Sequence, residues 1–410
     1  MTDTTSAKAK RNIIFLVLVA SLGYFVDIYD LLVFLIVRLK SLKDIGINDK
    51  DMLAKGQLII NVQMAGLLLG GIVWGIIGDK LGRIKVLFGS ILLYSVANFA
   101  NGFVHDVNTY AIIRFIAGLG LAGELGAGIT LVSETLSKEN RGYGTMIVAV
   151  IGLLGTTAAF FAAKFGWRNA YFIGGGLGIV LLLLRIGTFE SGMYKNIEQT
   201  KISKGNFFIL FNNWERFKKY LFCILIGAPL WYVVGVFIGF CDQFGKALGA
   251  KALLSPADGV FYSYIGIAIG DIFAGLLAQV TKSRKFTMMV FLILSVISVT
   301  FYLSATGITS EQFKWLAFFM GCSVGYWATF VTIASEQFGT NIRSTVTTTV
   351  PNFVRGSLIP ITLGFNALVT HNGILKSGYI MMGILTIIAL FALSQLKETF
   401  GKDLNYLEIN

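Results

Sequence analysis

Six ionisable side chains stand well inside stretches that are otherwise apolar: Asp27, Asp30, Arg114, Glu124, Asp271 and Arg355. A charge in hydrocarbon is expensive unless it is paired or hydrated, so each of them marks a candidate functional site. Two kinds of chemistry suit this set. A guanidinium fork captures a carboxylate or another anion. A carboxylate whose cationic partner comes and goes takes up and releases a proton. Other chemistry finds less support. Both histidines, His105 and His371, fall between the apolar runs, against a histidine relay. Cys223, Cys241 and Cys322 lie in or beside apolar runs without metal-ligand spacing and read as packing residues. No nucleophile-base pair, metal cluster or phosphate loop stands in a polar segment, so an enzyme is the least expected class and no cofactor or metal is expected.

The elements that must hold these residues follow from composition. Hydrophobic residues are 55% of the 410 and charged residues 14%, against about 25% charged in an average soluble domain. So few charges cannot cover a water-facing surface, whereas a bilayer removes that need. The net charge of +12 is carried between apolar runs and is not interleaved with aromatics, so nucleic acid is not an expected partner. Runs of about twenty apolar residues, enough to cross a bilayer, recur at 12–37, 57–78, 86–104, 109–132, 143–163, 169–189, 220–241, 259–280, 286–306, 313–334, 344–369 and 377–395. The fold class is an all-α integral membrane protein of twelve transmembrane helices in two pseudo-symmetric six-helix bundles. The first run is too long for the core of a signal peptide.

Basic residues crowd the connections on the side of the termini, including Lys80, Arg83, Lys85, Arg216, Lys282, Arg284 and Lys285. By the positive-inside rule both termini are cytoplasmic, with the chain in the cell's inner (plasma) membrane. The expected organisation is a cytoplasmic segment at 1–11, a bundle at 12–189, a cytoplasmic linker at 190–219 with a short surface helix near 214–219, a second bundle at 220–395 and a cytoplasmic tail at 396–410. The halves echo each other. Ser133, Glu134 and Arg141 reappear at a constant offset as Ser335, Glu336 and Arg343, each time ending an even-numbered span. That is a parallel repeat.

The loop after the second run carries Gly75, Asp79, Lys80, Gly82, Arg83, Ile84 and Lys85. It resembles the signature loop of the major facilitator superfamily: Gly, three residues, Asp, a base, any residue, Gly, then bases, with Ile84 departing from the usual pair. The stretch from Arg114 through Gly118, Gly120, Gly123 and Glu124 to Gly126 is similar to the fourth helix of that family's metabolite:proton symporters. Asp27, Tyr29 and Asp30 resemble their acidic first helix, and Gly166, Trp167 and Arg168 the start of their sixth. Glu190 with Ser191, and Glu398 with Thr399 and Gly401, resemble sugar-porter motifs. Gln279 stands where the second-half loop would carry an acid. Gly118, Gly120 and Gly123 also spell a dinucleotide fingerprint, but that needs a strand before it. Inside an apolar run they read as close helix packing.

The resemblance implies alternating access in a monomer, with helices one and four lining the cavity. It implies proton coupling through an acid-arginine pair there, and a gate of charges at the helix ends: Asp79, Arg83, Glu134, Arg141, Glu190, Glu336 and Arg343. At about 1.5 Å rise per residue, Asp30 lies about 10 Å and Asp27 about 15 Å below the far face, and Arg114 about 8 Å. Asp30 is therefore the better depth match for Arg114, with Asp27 on nearly the same helix face. The coupling set is Asp27, Asp30, Arg114 and Glu124. The competing readings are a purely structural pair and, for Glu124, a packing role. Arg355 lies between Pro351 and Pro360, which are expected to kink its helix. It faces a substrate anion, Asp271, or lipid and water. Tyr29, Trp231, Tyr232, Tyr326, Trp327, Gln63, Asp271 and Asn352 are the other candidate substrate contacts, with plain packing as the alternative. The function expected is proton-coupled symport of a small organic anion or zwitterion. An exporter of amphiphiles and a non-transporting sensor are the alternatives, and sodium in place of protons stays open. The expected partners are a small-molecule substrate, protons and the lipid bilayer.

Overall fold

A computed structural model describes residues 2–48, 51–137, 140–186, 207–403 and 406–408, apart from the side chains of residues 2–12, 53 and 141. Lipid offers no hydrogen bonds to a backbone, so every spanning segment must satisfy its own. The described residues accordingly contain helices and no strand. Twelve of the helices are long and apolar enough to cross a membrane. They are α1 (Ile13–Asp44), α2 (Ala54–Leu81), α3 (Arg83–Asn101), α4 (Val107–Thr135), α5 (Gly142–Phe165), α6 (Trp167–Leu184), α7 (Trp214–Ile238), α8 (Pro256–Thr281), α9 (Arg284–Leu303), α10 (Ser310–Gln337), α11 (Arg343–Asn372) and α12 (Ile374–Gln395).

Two boundaries differ from the expected ones in ways that matter. The first helix runs on to Asp44, so Arg38 sits on a helix and not in a loop. The seventh span starts at Trp214, where the Asn213 side chain accepts hydrogen bonds from the N–H groups of Glu215 and Arg216. Such a cap starts a helix. Residues 214–219 are therefore the first turns of α7 and not a separate surface helix. Most of the expected linker lies outside the described residues.

Several spans are broken near mid-depth. The fourth is interrupted at Ala122 and Gly123, the tenth between Ser323 and Trp327, and the eleventh at Ser357. Pro351 stays inside a continuous segment, so the break follows Pro360 more closely. Pro360 has no N–H to offer the Gly356 carbonyl four residues back. The seventh span contains a π-helical stretch, Val233–Ile238. Small residues bring helices together. A Cβ on Gly118 would collide with the Gln63 carbonyl of α2, and one on Gly75 would stand 2.9 Å from the Thr345 Cα of α11. Between the halves, α2 and α4 pack against the Arg343–Gly356 segment of α11, and α5 packs against α8.

Candidate functional site

Arg114 and Asp30 form a tight pair within the first half, which leaves Asp30 Oδ2 without a hydrogen-bond partner. Arg114 Nη1 donates to Asp30 Oδ1 at 2.7 Å and Nη2 to the Asp30 carbonyl at 2.8 Å. Its Nε donates to Gln63 Oε1 at 3.2 Å, and Gln63 in turn donates to the Leu31 carbonyl. Both charged side chains are fully buried. Breaking such a pair from one side costs about 3–5 kcal/mol, because it strands the other charge. The depth match between Asp30 and Arg114 agrees with this geometry.

Arg355 and Asp27 are arranged differently. They approach across the boundary between the halves, Nη2 to Oδ2, at 3.8 Å. Neither Asp27 oxygen has a hydrogen-bond partner, and Arg355 Nε and Nη2 have none. Its Nη1 alone is used, donating to Asn352 Oδ1 at 3.3 Å. The guanidinium lies 5.9 Å from the Trp231 ring and 5.5 Å from the Trp327 ring. Both rings, with Tyr24 and Tyr264, wall a cavity of about 10 Å³ at Arg355, room for about one water.

Asp271 is not the partner of Arg355. It accepts the Ala328 N–H at 3.0 Å, at the point where the tenth span resumes as a helix. An acid there meets an exposed helix N-terminus, which is the better electrostatic partner. Three aromatic candidates also turn away from the cavity. The Tyr29 hydroxyl donates to the Ala170 carbonyl of α6 at 2.6 Å, and that of Tyr232 to the Gly378 carbonyl of α12 at 3.2 Å. The Tyr326 ring packs edge-on to Phe291. Gln63 is committed at both ends, as above. Asn352 bridges the halves, donating to the Ala122 carbonyl of α4 at 2.9 Å while it holds Arg355.

Glu124 is held by Arg185 through both guanidinium ends, and Arg185 also donates to the Leu87 carbonyl at 3.1 Å. Arg185 is not among the site residues expected from the sequence. It falls within the expected sixth run and carries the same signal as the other buried charges, but its place near the end of the run disguised it.

On the face that carries the termini, charges lock the halves together. Asp79 at the end of α2 accepts from Ser344 N (3.1 Å), Thr345 N (2.8 Å) and Thr345 Oγ1 (2.6 Å). These are the first N–H groups of α11, so Asp79 caps that helix from the other half. Glu134 receives Arg83 at 2.9 Å and, across the boundary, Arg343 at 3.2 Å. Arg83 also lies 3.5 Å from Asp79. Glu336 binds Arg284 with two hydrogen bonds, at 2.7 and 2.9 Å, the second-half counterpart of Arg83 with Glu134. Thr130 and Thr347 add a bond between the halves at 2.5 Å. Glu190 and the side chain of Arg141 lie outside the description. Toward the opposite face Phe160 of α5 stacks on Phe261 of α8 at 4.5 Å, while a crevice of about 110 Å³ separates α1 and α2 from α7 and α11.

Two helical halves around buried charges, bolted at one face and parted by a crevice at the other, define a membrane transporter. The chain belongs to the Major Facilitator Superfamily, whose family model matches residues 13–361. A Bacillus subtilis (strain 168) protein named for niacin/nicotinamide transport, NiaP, is 26% identical over 84% of this chain and 86% of its own length. The sialic acid transporter NanX of Escherichia coli (strain K12) is 28% identical over 61% of this chain and 64% of its own. Among solved structures the proton:xylose symporter XylE, bound to 6-bromo-6-deoxy-D-glucose, superposes with a TM-score of 0.71 at 17% identity, covering 97% of this chain and 98% of that one. The chain is a multi-pass membrane transporter of small molecules and not an enzyme.

Proposed function

We propose that the chain imports a small organic anion together with a proton, by alternating access. The observation that carries this reading is Arg355: a buried guanidinium with two unused donors, flanked by Trp231 and Trp327, facing an Asp27 carboxylate that nothing else binds. A fork of that kind suits a carboxylate, and the indole rings suit the apolar body attached to it. Niacin and sialic acid, cargoes in the names of two relatives, are both carboxylic acids, and nicotinamide, which the first name also gives, is the neutral amide of niacin.

Coupling follows from competition for one cation. When the substrate carboxylate takes Arg355, Asp27 is left in a low-dielectric site without its counter-charge. The anion is then destabilised and binds a proton. When substrate leaves, Arg355 reclaims Asp27 and the proton is released. Asp30 and Arg114 hold the same face of α1 as a fixed pair, and Glu124 with Arg185 does so for α4. In this reading the termini are cytoplasmic, the membrane is the inner one, the working unit is the monomer and residues 190–219 link the two bundles. Asp79, Arg83, Glu134, Glu336 and Arg343, with Arg141 and Glu190, close the cytoplasmic face while the crevice opens outward. A network of such pairs biases two states separated by a few kcal/mol.

The test is uptake of radiolabelled nicotinate and sialic acid by vesicles reconstituted with the purified protein under an inward proton gradient. Accumulation that a protonophore collapses is expected for at least one of them. Arg355→Lys keeps the charge but loses the planar fork, and should weaken half-saturation by about tenfold or more. No carboxylate uptake by the wild type, or accumulation indifferent to the protonophore, overturns the reading.

A further inference from the structure

The crevice on the face opposite the termini contains another buried guanidinium with unused donors. Arg38 of α1 lines it and is 3% exposed, yet its Nε and Nη1 have no hydrogen-bond partner. Room for it is built in. A Cβ on Gly56 of α2 would stand 2.8 Å from Arg38 Cδ, so a larger residue there would push the stem aside. Gln57, Asn61, Thr362 and Asn366 give the same crevice a wall of amides and a hydroxyl.

A carboxylate of the other half, Asp242, stands in the short helix Cys241–Ala247 that follows α7, two residues beyond Phe240, which lines the same crevice. Asp242 Oδ1, like Arg38 Nε and Nη1, lacks a hydrogen-bond partner. Trp231 lines this crevice and also lines the cavity at Arg355, so one indole ring divides the two spaces. A desolvated guanidinium is stabilised by an anion that satisfies its donors.

We propose that Arg38 is a first anion station, which captures the carboxylate of a small organic anion before it passes Trp231 to Arg355. Asp242 competes for the same cation and discharges the anion inward as the crevice narrows. The cargo class rests on the reading above; the anion selectivity of the crevice does not. A charge that the anion meets early on its path, before its final site, acts through steering on association rates more than on dissociation.

The experiment therefore has two arms. In the first, Cys223, Cys241 and Cys322 are replaced by alanine, Asn61→Cys is introduced in the full chain, and its modification by anionic and cationic methanethiosulfonates is timed. The anionic reagent should react faster by about tenfold. Arg38→Gln should bring that ratio near one, Arg38→Lys should keep it, and Asp242→Asn should raise it. A ratio unchanged by Arg38→Gln overturns the proposal. Loss of the ratio in Arg38→Lys as well also overturns it, since charge alone would then not be responsible.

In the second arm, stopped-flow tryptophan fluorescence follows nicotinate binding. Arg38→Gln should slow association by about tenfold and leave dissociation unchanged; an effect confined to dissociation overturns the station. If the wild type ignores nicotinate while the reagent ratio behaves as expected, the station stands and the choice of cargo fails.

Discussion

Arg355 Nη2 and Asp27 Oδ2 face each other at 3.8 Å across the boundary between the two halves, whereas Arg114 and Asp30, both in the first half, are bonded at 2.7 Å. In the proposed cycle the tight pair would move as one body as the halves rock. The loose pair spans the joint and has hydrogen-bonding capacity to exchange. A coupling device needs the second arrangement, because a proton and a substrate must be able to alter it at modest cost.

Asp27→Asn tests that device directly. Asparagine cannot carry the proton, and no hydrogen bond to Asp27 is lost. The ion pair of Asp27 with Arg355 is loose, so the variant should lose less stability than Asp30→Asn and should still exchange labelled for unlabelled nicotinate across vesicles, while protonophore-sensitive accumulation disappears. Accumulation at the wild-type level would remove Asp27 from the mechanism.

Asp30→Asn should behave in the opposite way. It leaves the buried Arg114 without its counter-charge, at a cost of about 3–5 kcal/mol, so the main effect should be a lower Tm in detergent. A Tm within about a degree of the wild type would show that Arg114 does not depend on Asp30.

Asp79→Asn should loosen the face that carries the termini, since a neutral amide caps the start of α11 less well than a carboxylate. With Ser344→Cys as reporter, a position now fully buried, thiol labelling should speed up by about tenfold. Labelling at the unaltered rate would mean that Asp79 does not hold the two halves together.

Glu398, on the polar stretch after α12, supplies a pH dependence. Burial opposes its charge, but hydrogen bonds from the Ser283 hydroxyl and from the N–H groups of Phe400, Arg284 and Lys285 outweigh this and hold its carboxyl below the usual range. A group lowered in the folded state adds stability above its unfolded value, about 4.3, and that contribution is lost as pH falls through the folded value. The Tm should therefore drop more steeply on acidification from about pH 5 to pH 3 in the wild type than in Glu398→Gln. Parallel curves would show that the cap at the start of α9 contributes nothing.

Much of this architecture is written in the chain itself. Hydrocarbon admits only self-satisfied backbone, so apolar length alone marks the twelve spans. The cost of a lone charge there singles out Asp27, Asp30, Arg114 and Arg355 without any coordinates. Spacing along a helix also reports depth, which is why Asp30 could be matched with Arg114. It does not report which helix lies opposite. Only the tertiary structure decided that Arg355 meets Asp27 and not Asp271, that Glu124 meets Arg185, and that Tyr29 and Tyr232 turn toward α6 and α12. The extent of α1 was equally out of reach. An arginine at the end of an apolar run reads as a loop residue until a glycine on the next helix, Gly56, is seen to make space for it. Depth is a property of one helix, whereas partnership depends on how the helices rotate and cross, and that is set by side-chain fit between segments far apart in sequence.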